Sequence, residues 1–500
     1  MIFNSVTFLL FLAIVTALYW VLPRRPRLLL LMTASLTFYG FWRVEFLPVM
    51  LLSAATDYTV SLRLPQTSKT LHRRLLLITS LVVNLGLLFY FKYLMFFLGN
   101  VQSGANLLGI DWQAPELQII LPLGISFYTF QTISYTVDVY RGFIEPERDP
   151  VLYTTYVTFF PQLVAGPVLR AREVVGQLSS RPRFRSDDLS YGLRRVLAGL
   201  FLKTVVADNI APLVDAGFAA EASSLSALDV WTLAFLFGFQ IYFDFSAYSH
   251  IALGVGRMMG IHFPENFNFP YLATSPREFW KRWHISLSSW IRDYLYLPLA
   301  GEQVLDRSTG GLDRAVEMTP QKDAGVDDAM SQRRRAAKRT RALFVTWAIM
   351  GLWHGSAWRF VVWGIYHSVL VYGHRRLARV GGSLPGWLRR GGGWAITLPL
   401  AMLNWIPFRA PTLADTLTLW SKLFQPRAYL WLGMRENTYI ITALLLLAML
   451  AVYFARQPMR SFRDRRPWAG LAVDGVGLAC VFGLVFVFLR PISQFIYFQF

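Results

Sequence analysis

Two histidines stand where a side chain could do proton chemistry. His354 lies in Met350-Gly-Leu-Trp-His-Gly-Ser-Ala-Trp358, inside an apolar run whose nearest flanking charges are Arg341 and Arg359. An ionisable group at such a depth is costly and marks a functional site by default, against the plain alternative of a hydrogen-bonded packing histidine. Gly351 and Gly355 bracket it, removing bulk where a substrate chain or another helix could approach. His284 lies in the stretch Pro276–Leu297. Placed on one helix, Arg277, Lys281, His284 and Ser288 share a face, Arg282, Ser286, Ser289 and Asp293 form a row beside it, and Trp280, Trp283, Ile291 and Leu295 supply apolar surface. His72, His250, His262, His367 and His374 are weaker candidates, in basic loops, near helix ends or in helices with polar neighbours. With a single cysteine, Cys480, and no HExxH, there is no metal-ligand spacing. Nor is there a Walker A loop, a Rossmann glycine pattern or a GxSxG elbow, which argues against a nucleotide-driven pump and a serine hydrolase.

The elements that must position these residues are apolar. Of 500 residues, 54% are hydrophobic and only 16% charged, too greasy for one water-exposed core and too ordered in character for a disordered chain. Stretches near the roughly 20 residues needed to span a bilayer recur at 3–22, 28–42, 46–62, 75–98, 119–140, 196–214, 230–255, 343–372, 394–408, 439–454 and 471–489. The expectation is an all-α, polytopic integral membrane protein with about 11 transmembrane helices plus re-entrant or interfacial helices. The first span has no cleavage site of the small-residue type and reads as a retained helix.

Loop charge orients the chain. Arg24, Arg25 and Arg27, then Arg63, Lys69, Arg73 and Arg74, then Arg170 through Arg195 recur on one side, whereas 99–116 carries no Lys or Arg and 215–229 only acidic charges. The positive-inside rule places the basic loops in the cytoplasm and Met1 outside. The net charge of +19 thus follows from topology, and no nucleic-acid surface is expected. Residues 301–341 read as a flexible cytosolic loop closing on Arg333-Arg-Arg-Ala-Ala-Lys-Arg-Thr-Arg341, either anchored at anionic headgroups or docking a soluble partner. Helix breakers in 121–127, 159–167 and 264–271 predict broken helices that need protein or water around their freed backbone groups. Asp244 reads as a buried acid paired with a distant base.

Phe279-Trp-Lys-Arg-Trp-His-Ile-Ser-Leu-Ser-Ser-Trp-Ile-Arg-Asp-Tyr-Leu-Tyr296, followed by Gly351-Leu-Trp-His-Gly355, strongly resembles the membrane-bound O-acyltransferase (MBOAT) family. The stretches 126–142, 160–167, Asn266-Phe-Asn-Phe-Pro-Tyr271 and Trp405-Ile-Pro-Phe-Arg-Ala410 are similar to its alginate O-acetyltransferase branch, over most of the chain. The resemblance implies helices around a central funnel and acyl transfer to a hydroxyl. It implies His354 as the catalytic histidine and His284 as the second functional one. Trp353, Trp283, Ser288 and Asn266 are then supporting or substrate-binding positions. It further implies a bacterial cytoplasmic (inner) membrane protein with N-terminal helices over 1–116, a catalytic core over 117–375 and C-terminal helices over 376–500.

An alcohol needs a base as it attacks a thioester, and an imidazole with an ordinary pKa of about 6.5 suits that role. His354 is assigned it. The oxyanion then needs donors, with the Trp353 indole, His284 and backbone N–H groups as candidates, or His284 orients its partners instead. Arg277, Lys281 and Arg282 either attract a phosphopantetheine phosphate or only set topology. No bound cofactor is expected. The donor is an acyl-thioester substrate, acetyl-CoA or a phosphopantetheine carrier, and the acceptor a secreted polysaccharide or an extracytoplasmic acetyl-relay protein. The competing readings are D-alanyl transfer to a teichoic acid and, in a different class, a polytopic transporter or flippase.

Overall fold

The structure, a computed structural model, describes residues 1–163, 166–302, 329–377 and 385–489. Among them there are helices and turns but no strand. In chain order the first helices are α1 (Val6–Val21), α2 (Arg24–Gly40), α3 (Leu47–Arg63), α4 (Thr70–Leu88), α5 (Leu94–Leu107), α6 (Ile125–Arg141), α7 (Pro150–Thr158), α8 (Ala171–Ser179), α9 (Ser186–Leu200), α10 (Asp208–Ala219) and α11 (Ala227–Met258). There follow α12 (Pro276–Arg282), α13 (Ile285–Ile291), α14 (Leu297–Ala300), α15 (Ala329–His354), α16 (Trp358–Leu377), α17 (Gly386–Leu403), α18 (Ile406–Arg409), α19 (Leu413–Lys422), α20 (Glu436–Arg465) and α21 (Pro467–Phe488). Single π-helical turns join α4 to α5, α9 to α10 and α13 to α14.

Among the described residues, five helical stretches are long and apolar enough to cross a bilayer: Thr70–Leu107, Ser186–Ala219, Ala227–Met258, Glu436–Arg465 and Pro467–Phe488. On α4 the side chains of Leu71, Leu75, Ile78, Val82 and Leu85 recur every three or four residues and are all exposed, as a lipid-facing stripe requires.

The chain divides into two compact units. One comprises residues 1–193, 252–264 and 290–335, the other 194–251, 265–289 and 336–500. In the first, α3, α4 and α6 are held together by a buried polar network. Asp57 accepts from Asn84 Nδ2 at 2.6 Å, Thr136 Oγ1 at 2.7 Å and Ser80, and Asn84 Oδ1 accepts from Ser53 and Thr132. A carboxylate buried among apolar helices is tolerable only when hydrogen-bonded in this way. In the second unit, Lys203 on the π turn after α9 pairs with Asp244 at 2.7 Å and Asp208 at 2.9 Å, which supplies the expected base for Asp244.

Three expectations need correcting. The run 343–372 is not one span: α15 ends at His354, and α16 starts at Trp358 after a Gly355–Ala357 turn. The stretch 276–297 is not one helix either, because the chain breaks at Trp283 and His284, so the four-residue row through Arg277, Lys281, His284 and Ser288 is interrupted. Finally, Ala329–Thr340 is the first part of α15 rather than loop, and residues 303–328 of the expected loop lie outside the described residues. Basic residues with good helix propensity, Arg333 to Arg341, extend the apolar helix outward. Of the expected broken segments, 121–124 and 264–269 are irregular, and 159–163 is a turn after α7. Val164 and Ala165 lie outside the described residues.

Candidate active site

Both histidines belong to the second unit. The break that carries His284 is built locally. Ser275 caps α12, its hydroxyl accepting from the Glu278 N–H, and Pro276 occupies the first turn, where no backbone donor is needed. After Arg282 the irregular residues 266–268 take over the backbone bonds: Asn268 N–H donates to Arg282 O and Ile285 N–H to Asn266 O, each at 2.9 Å. His284 between them has φ 42°, in the left-handed region, where a non-glycine residue costs on the order of 1–3 kcal/mol. Such strain persists only when the surroundings over-determine it.

Asn266 is what over-determines it. Its Oδ1 accepts from the His284 ring at 3.0 Å and from the Ser286 hydroxyl at 2.9 Å, while its Nδ2 donates to Ser249 Oγ at 3.2 Å. With the oxygen facing the ring, His284 must carry its proton on Nδ1, which leaves Nε2 as the ring's acceptor nitrogen. The Phe245 ring meets the imidazole edge-on at 4.7 Å. The segment is too short to cross a bilayer, and burial holds this imidazole well below the usual histidine range, so it stays neutral.

His354 ends α15. Its ring contacts Trp353 and Trp363 at 4.8 Å and Phe408 at 5.1 Å. It is 7% exposed, against 1% for both His284 and His367, so it is the least enclosed of the three. The flanking glycines admit a protein segment: a Cβ on Gly351 would strike the Phe360 carbonyl, one on Gly355 the Phe360 ring, and one on Gly364 the Trp347 carbonyl. They let α15 and α16 pack backbone to backbone and bring Trp363 onto His354.

His367, one turn beyond Trp363, is the residue that sequence reasoning undervalued. Trp280 Nε1–H donates to its Nδ1 at 3.2 Å, and the rings of Trp363 and Trp347 lie 4.9 and 5.1 Å away. Asn404 is its other polar neighbour. The legible signal was the i, i+4 spacing of Trp363 and His367 on one helix face, but the partners come from α12, α15 and the end of α17. Trp283, for its part, meets Trp405 at 4.7 Å, and Trp405 meets Phe408 at 5.6 Å, so aromatic contacts run from the residue before His284 to the wall of His354. Ser288 does not point at a partner histidine: its hydroxyl bonds the Trp283 carbonyl at 3.1 Å and tightens the start of α13.

Arg277, Lys281 and Arg282 do come together. With Asn268, Ser275 and Glu278 they line a groove of about 490 Å³. Arg282 is engaged, bonding Glu278 at 2.7 Å and the Asn268 carbonyl. Burial pushes the Glu278 carboxyl up, but bonds from Thr274 and Arg282 outweigh it and hold the group below the usual range. Arg277 and Lys281 are exposed and make no hydrogen bond or ion pair among the described residues.

A helical membrane protein with imidazoles held in an aromatic wall, and a cationic groove on the same unit, has the parts of a membrane-bound acyl-transfer enzyme. Residues 148–310 match MBOAT, the membrane-bound O-acyltransferase family. The chain is 36% identical over 463 residues to the probable alginate O-acetylase AlgI of Azotobacter vinelandii, covering 91% of this chain and 85% of that protein. It is 34% identical over 423 residues to the peptidoglycan O-acetyltransferase of Helicobacter pylori, covering 79% and 73%. With the teichoic acid D-alanyltransferase of Bacillus subtilis it shares 28% identity over 268 residues, 51% of this chain and 60% of that one. The chain belongs to the MBOAT family and is an O-acyltransferase.

Proposed function

We propose that this protein moves an acetyl group from a cytosolic acyl-thioester, acetyl-CoA or a phosphopantetheine carrier, to hydroxyls of a secreted, alginate-type polysaccharide or to an extracytoplasmic relay protein. The observation that carries the reading is the buried, aromatic-walled imidazole of His354, less enclosed than those of His284 and His367, in a chain similar over nine-tenths of its length to a probable alginate O-acetylase. His354 takes the acceptor hydroxyl's proton as the oxygen attacks the thioester carbonyl. The tetrahedral intermediate collapses with cleavage of the C–S bond, and the imidazolium returns the proton to the leaving thiolate, giving ester and free thiol. Positioned base catalysis of this kind supplies roughly 10²–10⁴-fold.

His284, protonated on Nδ1 toward Asn266, offers Nε2 as an acceptor, so the Trp353 indole N–H is the better candidate to steady the oxyanion. His284 then positions its neighbours. Arg277 and Lys281 attract the donor's phosphate to the groove. The basic loops face the cytoplasm of a bacterial inner membrane, with Met1 outside.

The test is His354→Ala in membranes where expression and insertion are verified by immunoblot. Polymer acetylation should fall at least about a hundredfold; retained acetylation removes the assignment. D-alanyl transfer is the second reading, favoured by the similarity to the D-alanyltransferase over about half the chain. A preference of wild-type membranes for D-alanyl over acetyl thioester would establish it.

A further inference from the structure

Outside the histidine centre, the first unit buries a charge that its hydrogen bonds do not cancel. Asp57 stands mid-way along α3 and shares its network with Ser80 and Asn84 of α4 and with Thr132 and Thr136 of α6, all five side chains being fully buried. Ser80 and Asn84 belong to a stretch long and apolar enough to cross a bilayer, which puts the carboxylate at membrane depth.

The other buried acids among the described residues each have a positive answer. Asp244 pairs with Lys203 at 2.7 Å, Asp293 with Arg170 at 2.8 Å and Asp188 with Arg257 at 2.7 Å. Three arginines act on Asp138. Asp229 sits in the first turn of α11, at the positive end of the helix, and accepts the backbone N–H groups of Ser226 and Gly433 at 2.8 and 3.1 Å. Asp57 makes no ion pair among the described residues and caps no helix. Hydrogen bonds satisfy its oxygens but leave its charge, and an unanswered charge away from water is among the costliest features a fold can hold.

The bonds are those of an ionised carboxylate. Ser80 and Thr136 both donate to Asp57 Oδ1, the second at 2.7 Å, and Asn84 Nδ2 donates to Oδ2 at 2.6 Å. The Asn84 amide is fixed in this sense, because Nδ2 also donates to the Ser80 carbonyl at 2.9 Å while Oδ1 accepts from Ser53 and, at 3.1 Å, from Thr132. A proton on Asp57 Oδ2 would face the Asn84 N–H, and one on Oδ1 would face two hydroxyl groups already donating there. A cation meets no such conflict, since each donating hydroxyl keeps lone pairs on its oxygen. The Ser61 hydroxyl, 3.4 Å from Thr136 Oγ1, adds a further oxygen. Carboxylate and hydroxyl oxygens suit hard cations. One negative charge is neutralised by one positive charge, whereas a divalent ion would leave a buried charge of the opposite sign. The close spacing of the oxygens favours a small ion over potassium.

We propose that Asp57, with the hydroxyl oxygens of Ser61, Ser80 and Thr136, binds a sodium ion that ties α3, α4 and α6 together. The site needs nothing from the acyl-transfer chemistry, and its test reads binding and stability instead of activity.

The experiment uses the full chain, purified and reconstituted into phosphatidylcholine nanodiscs in choline chloride. Binding of radioactive sodium is read by scintillation proximity, and melting temperature against sodium, potassium and choline chlorides at constant ionic strength. The wild type should bind sodium saturably and melt at a higher temperature as sodium replaces choline, with a smaller shift in potassium. Asp57→Asn keeps the shape and removes the charge, so it should bind no sodium and melt at one temperature in all three salts. Ser80→Ala and Thr136→Val keep the carboxylate and guard against misfolding of that variant. Each removes one ligand and should weaken sodium binding about tenfold or more. Glu45→Gln, which alters an exposed acid paired with Arg43, should respond to sodium as the wild type does. Absence of sodium binding by the wild type, or sodium binding unchanged in the Asp57, Ser80 and Thr136 variants, overturns the site. A melting temperature that ignores sodium but rises on acidification in the wild type and not in Asp57→Asn assigns a proton to Asp57 and overturns the cation.

Discussion

At the scale of single residues, the site depends on how side-chain protons are held. Asn266 fixes the His284 tautomer through one oxygen, so Asn266→Asp, which adds charge to the buried ring, should reduce transfer at least about tenfold while membrane insertion persists; kcat measured on purified enzyme checks this. The left-handed backbone at His284 adds a second constraint. His284→Asn tolerates φ 42° and should fold and insert normally. His284→Val places a β-branched residue there and should lower stability by about 1–3 kcal/mol in a thermal melt. Both should lose activity, so the melt is the measurement that separates chemistry from strain. His367 is held by one indole N–H from Trp280, and Trp280→Phe should destabilise by about 1–3 kcal/mol by leaving Nδ1 without its donor.

At the scale of elements, the packing of α15 on α16 decides where His354 stands. Gly351→Ala and Gly364→Ala would each drive a methyl group into a facing backbone carbonyl, and overpacking of this kind costs typically 1–3 kcal/mol. Gly373→Ala, on the same α16 but with open space beside it, should be neutral. Transfer activity together with melting temperature across the three variants tests whether the glycines serve helix approach. If Gly351→Ala kept full activity and stability, close helix packing would not be what positions Trp363 on His354. The α12–α13 break works in another way. Polar residues spaced at helical intervals from Arg277 to Ser288 concealed a turn, because the backbone bonds that end α12 come from residues 266–268, which are distant enough in sequence to leave no periodic trace.

At the scale of the whole molecule, charge sets orientation. The basic loops should be cytoplasmic and the loop 99–116 external. With the exposed Cys480 first changed to serine, a cysteine at Gln113 should react with a membrane-impermeant maleimide in intact cells, and one at Gln66 only after lysis. The reverse labelling would invert the topology. The apolar windows of the long helices α20 and α21 are mostly exposed in the protein, as surfaces that face lipid would be.

The sequence by itself determined the bilayer as solvent, the helical class, the Trp-His motifs and the family resemblance, because apolar run length, loop charge and short motifs are local properties. It pointed to His354, His284 and Asn266, and to a partner for Asp244, without supplying that partner. Only the tertiary structure decided that α15 ends at His354, that His284 sits in a strained turn, that Lys203 answers Asp244, and that His367 shares the aromatic wall. Those features depend on groups tens to hundreds of residues apart meeting in space. Their energies come from contacts between side chains and backbones that no spacing along one segment encodes.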